Sequence, residues 1–174
     1  MRKASFAVLV LSVVLLAAAV PLQAQGGTAT ARLRSFEEVP VTATPGAGDF
    51  TATISEDGTE IEYELSYRNI EGIVTQAHLH FGQKSVNGGI FIFLCTNLGN
   101  GPAGTQNCPP GRTAAISGTI TAANVLALPN QSFAAGDLAS VLRGIRGGVV
   151  YVNVHTDQLP GGSIRGQLVF SSEP

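Results

Sequence analysis

The 174-residue chain has three histidines, all in two short strand-like stretches, Gln76-Ala77-His78-Leu79-His80 and Tyr151-Val152-Asn153-Val154-His155. Successive side chains of a strand point to opposite faces, so His78 and His80 project together while Ile73, Ala77, Leu79 and Phe81 project the other way. In the second stretch Val150, Val152 and Val154 are expected to face the core, with Tyr151, Asn153 and His155 opposite. The histidines are thus predicted on the outer wall, away from the apolar stripe. Two Cβ atoms of a His-x-His strand stand about 7 Å apart, near enough for both rings to reach one metal at roughly 2.0–2.1 Å. A third imidazole from the second strand would complete three neutral nitrogen donors with an open fourth position, a set that suits zinc or copper. His78, His80 and His155 are therefore the candidate metal ligands, and copper or zinc the candidate cofactor.

Other chemistry fits less well. No G-x-S-x-G segment presents a nucleophilic serine, and Gly82-Gln83-Lys84-Ser85 lacks the preceding glycine of a phosphate-cradling loop. Nothing points specifically to the paired carboxylates of a glycosidase. No catalytic residue is assigned, and binding is expected rather than catalysis.

The elements that must position the histidines are strands. Alternating or β-rich runs recur at 29–35, 49–55, 59–68, 73–81, 89–95, 114–120, 149–156 and 163–170, separated by turn pairs such as Pro45-Gly46, Asp57-Gly58, Asn87-Gly88 and Pro160-Gly161. This spacing predicts one all-β domain, an antiparallel sandwich or barrel. One short crossover helix interrupts it: Leu138, Val141, Leu142 and Ile145 fall at i, i+3, i+4 and i+7, Asp137 stands at the amino end, Arg143 and Arg146 near the carboxyl end, and Gly147 can stop it. A shorter turn of helix is expected around 122–126. In the last hairpin, pairing Val152 with Leu168 and Val150 with Phe170 sets the apolar faces together and places Asn153 against Gln167 and His155 against Arg165. A guanidinium beside His155 would disfavour the protonated ring and make a positive spot for a small anion. The competing expectation pairs Arg165 with Asp157 in the turn.

Arg2 and Lys3, an apolar run over 6–20 and Leu22-Gln23-Ala24 read as a signal peptide over residues 1–24, so the protein is expected to be exported, secreted or periplasmic. The run is about 15 residues, short of the roughly 20 a bilayer span needs, and no second one follows. The remainder has the size of one domain, with 171–174 a loose tail. Without Arg2 and Lys3 eight basic side chains face twelve acidic ones, which argues against a nucleic-acid partner. Glu60, Glu62 and Glu64 alternate with Ile61, Tyr63, Leu65 and Tyr67 in the period of a half-buried strand. With Glu56, Asp57 and Glu71 they form the acidic excess, for which a calcium site is the minor alternative. Cys95 and Cys108, the only two cysteines, bracket a Gly-, Pro- and Asn-rich segment. A disulfide closing that loop would stabilise by roughly 3 kcal/mol in the chain-entropy model. Metal-binding or redox-active thiols are the lesser alternative, since C-x-x-C spacing is absent. Asn130-Gln131-Ser132 is a glycosylation sequon, relevant only if the source glycosylates its exports.

At the same residues the chain resembles the CHRD domain family, named after the repeats in chordin. The resembling segments are Phe36-Glu37-Glu38-Val39-Pro40 with Ala43-Thr44-Pro45 and Gly48, Ala77-His78-Leu79-His80, Ile116-Ser117-Gly118-Thr119-Ile120, Ala135-Gly136-Asp137-Leu138, and Tyr151-Val152-Asn153-Val154-His155-Thr156 leading into Pro160-Gly161-Gly162-Ser163-Ile164-Arg165-Gly166-Gln167. They span roughly residues 28–170. The resemblance implies an Ig-like β-barrel with limited similarity to copper, zinc superoxide dismutases, and it assigns no activity. In those dismutases a His-x-His strand supplies two copper ligands, matching His78 and His80, and a later V-V-H strand entering a Gly-rich turn supplies another, matching Val154-His155. The chain has no histidine left for the bridging and zinc positions, so a dinuclear enzyme is excluded and a mononuclear three-histidine site is what the similarity leaves, with Arg165 nearby.

Three functional readings follow. The first is an exported non-catalytic module holding one copper or zinc ion. The second is an extracellular protein- or glycan-binding adhesion module without metal. The third, a minor one, is a mononuclear copper dismutase-like enzyme.

Overall fold

A computed structural model describes residues 26–172. The expected signal peptide and the last two residues of the expected tail lie outside the described residues. Nine strands form one antiparallel sheet: β1 (Gly27–Arg34), β2 (Ala47–Ile54), β3 (Ile61–Arg68), β4 (Val74–Phe81), β5 (Gly89–Thr96), β6 (Ala114–Ile120), β7 (Val150–Thr156), β8 (Ile164–Gln167) and β9 (Val169–Ser171). The spatial order is β5-β4-β7-β8-β1-β2-β3-β6, with β9 also on β1. The sheet curls into a nearly closed barrel, all-β with a single short helix as the sequence pattern predicts.

β3 shows why the pattern works. Ile61, Tyr63, Leu65 and Tyr67 are buried while Glu62, Glu64 and Arg68 stay in water, so the glutamates are a solvated strand face. β2 beside it repeats the alternation with Phe50, Ala52 and Ile54 inward. The two outer strands, β5 and β6, meet at a seam that side chains close. The Tyr63 hydroxyl donates to the Leu94 carbonyl at 3.1 Å, and Gln106 Nε2 donates to the Ser117 carbonyl at 3.1 Å and to the Tyr63 hydroxyl at 2.9 Å. Gly118 permits this crossing, since a Cβ there would lie 2.9 Å from the tyrosine oxygen. Gln106 belongs to the loop closed by the Cys95–Cys108 disulfide, so the staple predicted from the two cysteines anchors the segment that plugs the seam.

The crossover helix α1 (Leu138–Arg146) forms where expected. The Asp137 carboxylate caps it, accepting from the Ser140 backbone N–H at 2.9 Å and bonding the Ser140 hydroxyl, a cap worth about 1 kcal/mol. Its buried stripe is Leu138, Val141, Leu142 and Ile145, and Gly144 lets the ring of Phe81 approach its backbone. The short helical turn expected near 122–126 is a 3-10 turn at Ala122–Asn124. Among the described residues no helix is long and apolar enough to cross a membrane.

Three sequence expectations need correction. Ile73, assigned to the inward set, is 62% exposed, because β4 begins at Val74 and its pairing with β7 is irregular between Val74 and Gln76. The last hairpin is shifted by two residues: Val152 pairs with Gly166 and Asn153 with Arg165. The cause is a break at Leu168, whose N–H bonds the Val150 carbonyl while β9 leaves to pair with β1. A shift of two keeps every side chain on its predicted face, so only the cross-strand partners change. The expected contact of Arg165 with Asp157 is also not made. Asp157 instead accepts the Ile73 N–H at 2.7 Å.

Candidate metal centre

β4 and β7 are neighbours, and their register sets His78 opposite Asn153, His80 opposite Tyr151 and Gln76 opposite His155. Paired residues share a face, so the three histidines lie together on the outer wall of the barrel. Ring centroids are 5.5 Å apart for His78 and His80, 4.9 Å for His78 and His155, and 6.2 Å for His80 and His155. One nitrogen from each ring lies within 4.8 Å of the other two. Donors around one ion at 2.0–2.1 Å sit about 3.3–3.6 Å apart, so a small inward turn of the rings would close the set. Among the described residues this is the one group of three or more His, Cys, Asp or Glu side chains so gathered.

The outer wall here is not exposed. His78 is fully buried, and His80 and His155 are 7% exposed. The alternation rule located the face correctly but gave no sign that loops cover it, and every residue of β7 is buried. Three loops make the cover and are tied to the strands beneath. Glu38 accepts from Asn153 Nδ2 at 2.6 Å, and Pro160 bonds His155. Arg165 donates to Asn87 Oδ1 at 3.2 Å and to the carbonyls of Gln83 and Val86 at 3.1 and 2.8 Å. Asn87 in turn donates to the Val39 carbonyl at 3.1 Å, joining the first and second loops. At the third, Gly162 lies against Glu38, where a Cβ would fall 2.5 Å from the carboxylate. A cleft of about 360 Å³ opens between these loops, lined in part by Pro40, Asn87, Leu159 and Pro160.

Two of the three imidazoles are held at Nδ1 by a backbone carbonyl. His80 Nδ1 lies 3.0 Å from the Gly88 carbonyl and His155 Nδ1 3.0 Å from the Pro160 carbonyl. A carbonyl only accepts, so Nδ1 carries the proton in each neutral ring and Nε2 keeps its lone pair. Both Nε2 atoms are buried without a partner, as are both ring nitrogens of His78. Four orphaned buried nitrogens in one place are unusual in a folded protein, where such atoms nearly always find partners. Backbone carbonyls holding the far nitrogen of a histidine are also the usual support of a metal-ligating ring.

The rings stay neutral over a wide pH range. Burial first, then the neighbouring His155 and His80, pushes His78 down to about 2. Burial, with His155 and Arg165 adding to it and the Gly88 hydrogen bond opposing it, lowers His80 to about 4. His155 is lowered by burial against the Pro160 bond. Nearby, burial raises the Glu38 carboxyl to about 7, although the Asn153 hydrogen bond and the Arg165 charge pull the other way.

Several participants carry no sequence signal of their own. Phe93 sets its edge against His78, centroids 4.5 Å apart. Tyr151 stacks flat on His80 at 4.6 Å and 4°, and the Arg165 guanidinium lies 3.4 Å from the centre of the Tyr151 ring. Glu38 and Asn153 sit within quoted motifs, yet only the fold shows that they bond each other across 115 residues. Arg165 was expected beside His155. Its charge reaches the site instead through Tyr151 and His80.

No curated protein and no solved structure matches the chain. The CHRD domain model does match, over residues 29–168, and this span includes all three histidines, Glu38, the disulfide and Arg165. The chain therefore belongs to the CHRD domain family.

Proposed function

We propose that this CHRD domain is an exported, non-catalytic binding module that holds one copper or zinc ion through His78, His80 and His155. The observation that carries the reading is the set of orphaned nitrogens: Nε2 of His80 and of His155 and both nitrogens of His78 are buried without partners, and one nitrogen from each of the three rings lies within 4.8 Å of the other two. Leaving such atoms unsatisfied costs about 1–3 kcal/mol each, and one ion bonded to one nitrogen of each ring offsets that cost for three of the four. The donor chemistry agrees, since neutral imidazole suits copper and zinc and the lowered basicity of the rings keeps their lone pairs free at neutral pH. Export is supported by the leader pattern of the first 24 residues and by the disulfide, a bond that persists in oxidising compartments.

The test is elemental analysis of protein purified without a histidine tag. One equivalent of copper or zinc per chain is expected, falling to background in His80→Ala. Wild-type protein that emerges metal-free and takes up neither ion would overturn the reading, and metal-independent capture of an extracellular protein or glycan would then favour an adhesion module. Superoxide consumption by copper-loaded protein no faster than by free copper is expected of a non-catalytic module.

A further inference from the structure

Resting on the metal reading above, we infer that the site selects monovalent copper over divalent ions and that Arg165 sets this preference through the stack it makes with Tyr151 and His80. The geometry is a three-layer column. The guanidinium lies over Tyr151 with its carbon 3.4 Å from the ring centre, and the other face of the tyrosine system packs parallel to His80 at 4.6 Å. Nothing lets the cation swing away. Its hydrogens go to Asn87, Gln83 and Val86, and the tyrosine hydroxyl is held by the Gly88 N–H at 3.1 Å, the same residue whose carbonyl holds His80.

The charge balance then favours the smaller ionic charge. Arg165 is 2% exposed and carries the delocalised positive charge of a guanidinium, so that charge is fixed two ring spacings from the ligand nitrogen and shielded from solvent ions. The three candidate ligands are imidazoles, which bind a metal as neutral donors, and in His80 and His155 the Nδ1 atom faces a backbone carbonyl; the carboxyl that feels the Arg165 charge, Glu38, is engaged by the Asn153 amide. Among the described residues Arg165 makes no ion pair, with Glu38 or with any other carboxylate; the two pairs there are Arg68–Asp49 and Lys84–Glu37. A divalent ion would add two uncompensated charges to this dry region, a monovalent ion one, and each uncompensated buried charge is costly. Coordination number points the same way. Zinc with three protein ligands keeps a water in its fourth position, whereas these rings are almost wholly sealed; three nitrogens satisfy cuprous copper.

The experiment measures two affinities on the full chain, one for Cu(I) presented anaerobically as its bicinchoninate complex and one for Zn(II) by competition with a chromophoric chelator. Both are read in wild type, Arg165→Gln and Arg165→Lys. The expected result is tighter Cu(I) than Zn(II) in wild type, with the Cu(I)-to-Zn(II) affinity ratio falling at least tenfold in Arg165→Gln and retained in Arg165→Lys. A merely structural role for Arg165 would weaken both ions together and leave the ratio unchanged in the glutamine variant, which overturns the inference. Tighter Zn(II) than Cu(I) in wild type overturns it without any variant, and leaves the metal site itself standing. Binding of neither ion removes the metal reading as well.

Discussion

β3 and β7 are near-equal strands of one sheet, and they differ in what covers their outer faces. β3 alternates buried and exposed residues along its length; β7 exposes none. Their inward faces are alike, Leu65 and Tyr67 on one, Val152 and Val154 on the other, all at 1% exposure or less. Outward, β3 offers glutamates to water, whereas β7 offers Tyr151, Asn153 and His155 to a second layer of loops. A polar strand face is harmless when solvated. Covered, it must find partners, and on β7 Tyr151 and Asn153 do so while His155 Nε2 does not. The comparison therefore shows where the molecule gathers most of its unsatisfied buried polar atoms, four of the six in the described residues, the other two being Ser163 Oγ and Gln167 Oε1, and the proposed metal site is built on that gathering.

The contrast can be broken from either side. On the shared inward face, Leu65→Ala should cost about 2–5 kcal/mol, because a fully buried leucine leaves a cavity, read as a shift in the denaturation midpoint. Acid should separate the strands next. Histidines whose folded values lie below the ordinary 6.5 contribute stability that is present above that pH and lost as pH falls toward the folded values, about 4 for His80 and about 2 for His78. Metal-free protein should thus lose on the order of 3 kcal/mol per such ring between pH 6.5 and 4, measured by urea titration at several pH values. Glu38 acts with the opposite sign. Its raised value, about 7, costs stability as pH rises from 4.5 through 7, so Glu38→Gln should flatten that limb.

On the covered face, Asn153→Ala strips the Glu38 carboxyl and the Ile164 carbonyl of their donor and should cost about 1–3 kcal/mol. The smallest effect belongs to the solvated face. Glu62→Ala on β3 should change stability by no more than about 0.5 kcal/mol. Equal costs for Asn153→Ala and Glu62→Ala would erase the distinction between the two faces.

Much of this was legible in the residues. Period-two alternation placed β3, β4 and β7, the i, i+3, i+4, i+7 stripe and Asp137 placed the helix, and the cysteine pair placed the staple. Faces are local properties, and the histidines fell on the predicted side of both strands. Burial of that side was not legible, because it depends on Glu38, the loop at 82–88 and Pro160, segments whose composition shows only that they turn. Register failed by two residues at the last hairpin, since apolar matching cannot distinguish Leu168 from Gly166 as the partner of Val152 when both choices preserve the faces. That slip also misplaced Arg165, and with it the Tyr151 stack that follows from pairing Arg165 opposite Asn153.

The central claim is that three imidazoles share one ion beneath the loops. X-ray absorption at the metal edge of loaded, untagged protein tests it most directly. Three histidine nitrogens at about 2.0 Å, reduced in number when His155 is replaced by alanine, is the predicted spectrum. A shell dominated by oxygen donors, or a spectrum indifferent to the loss of His155, would contradict it.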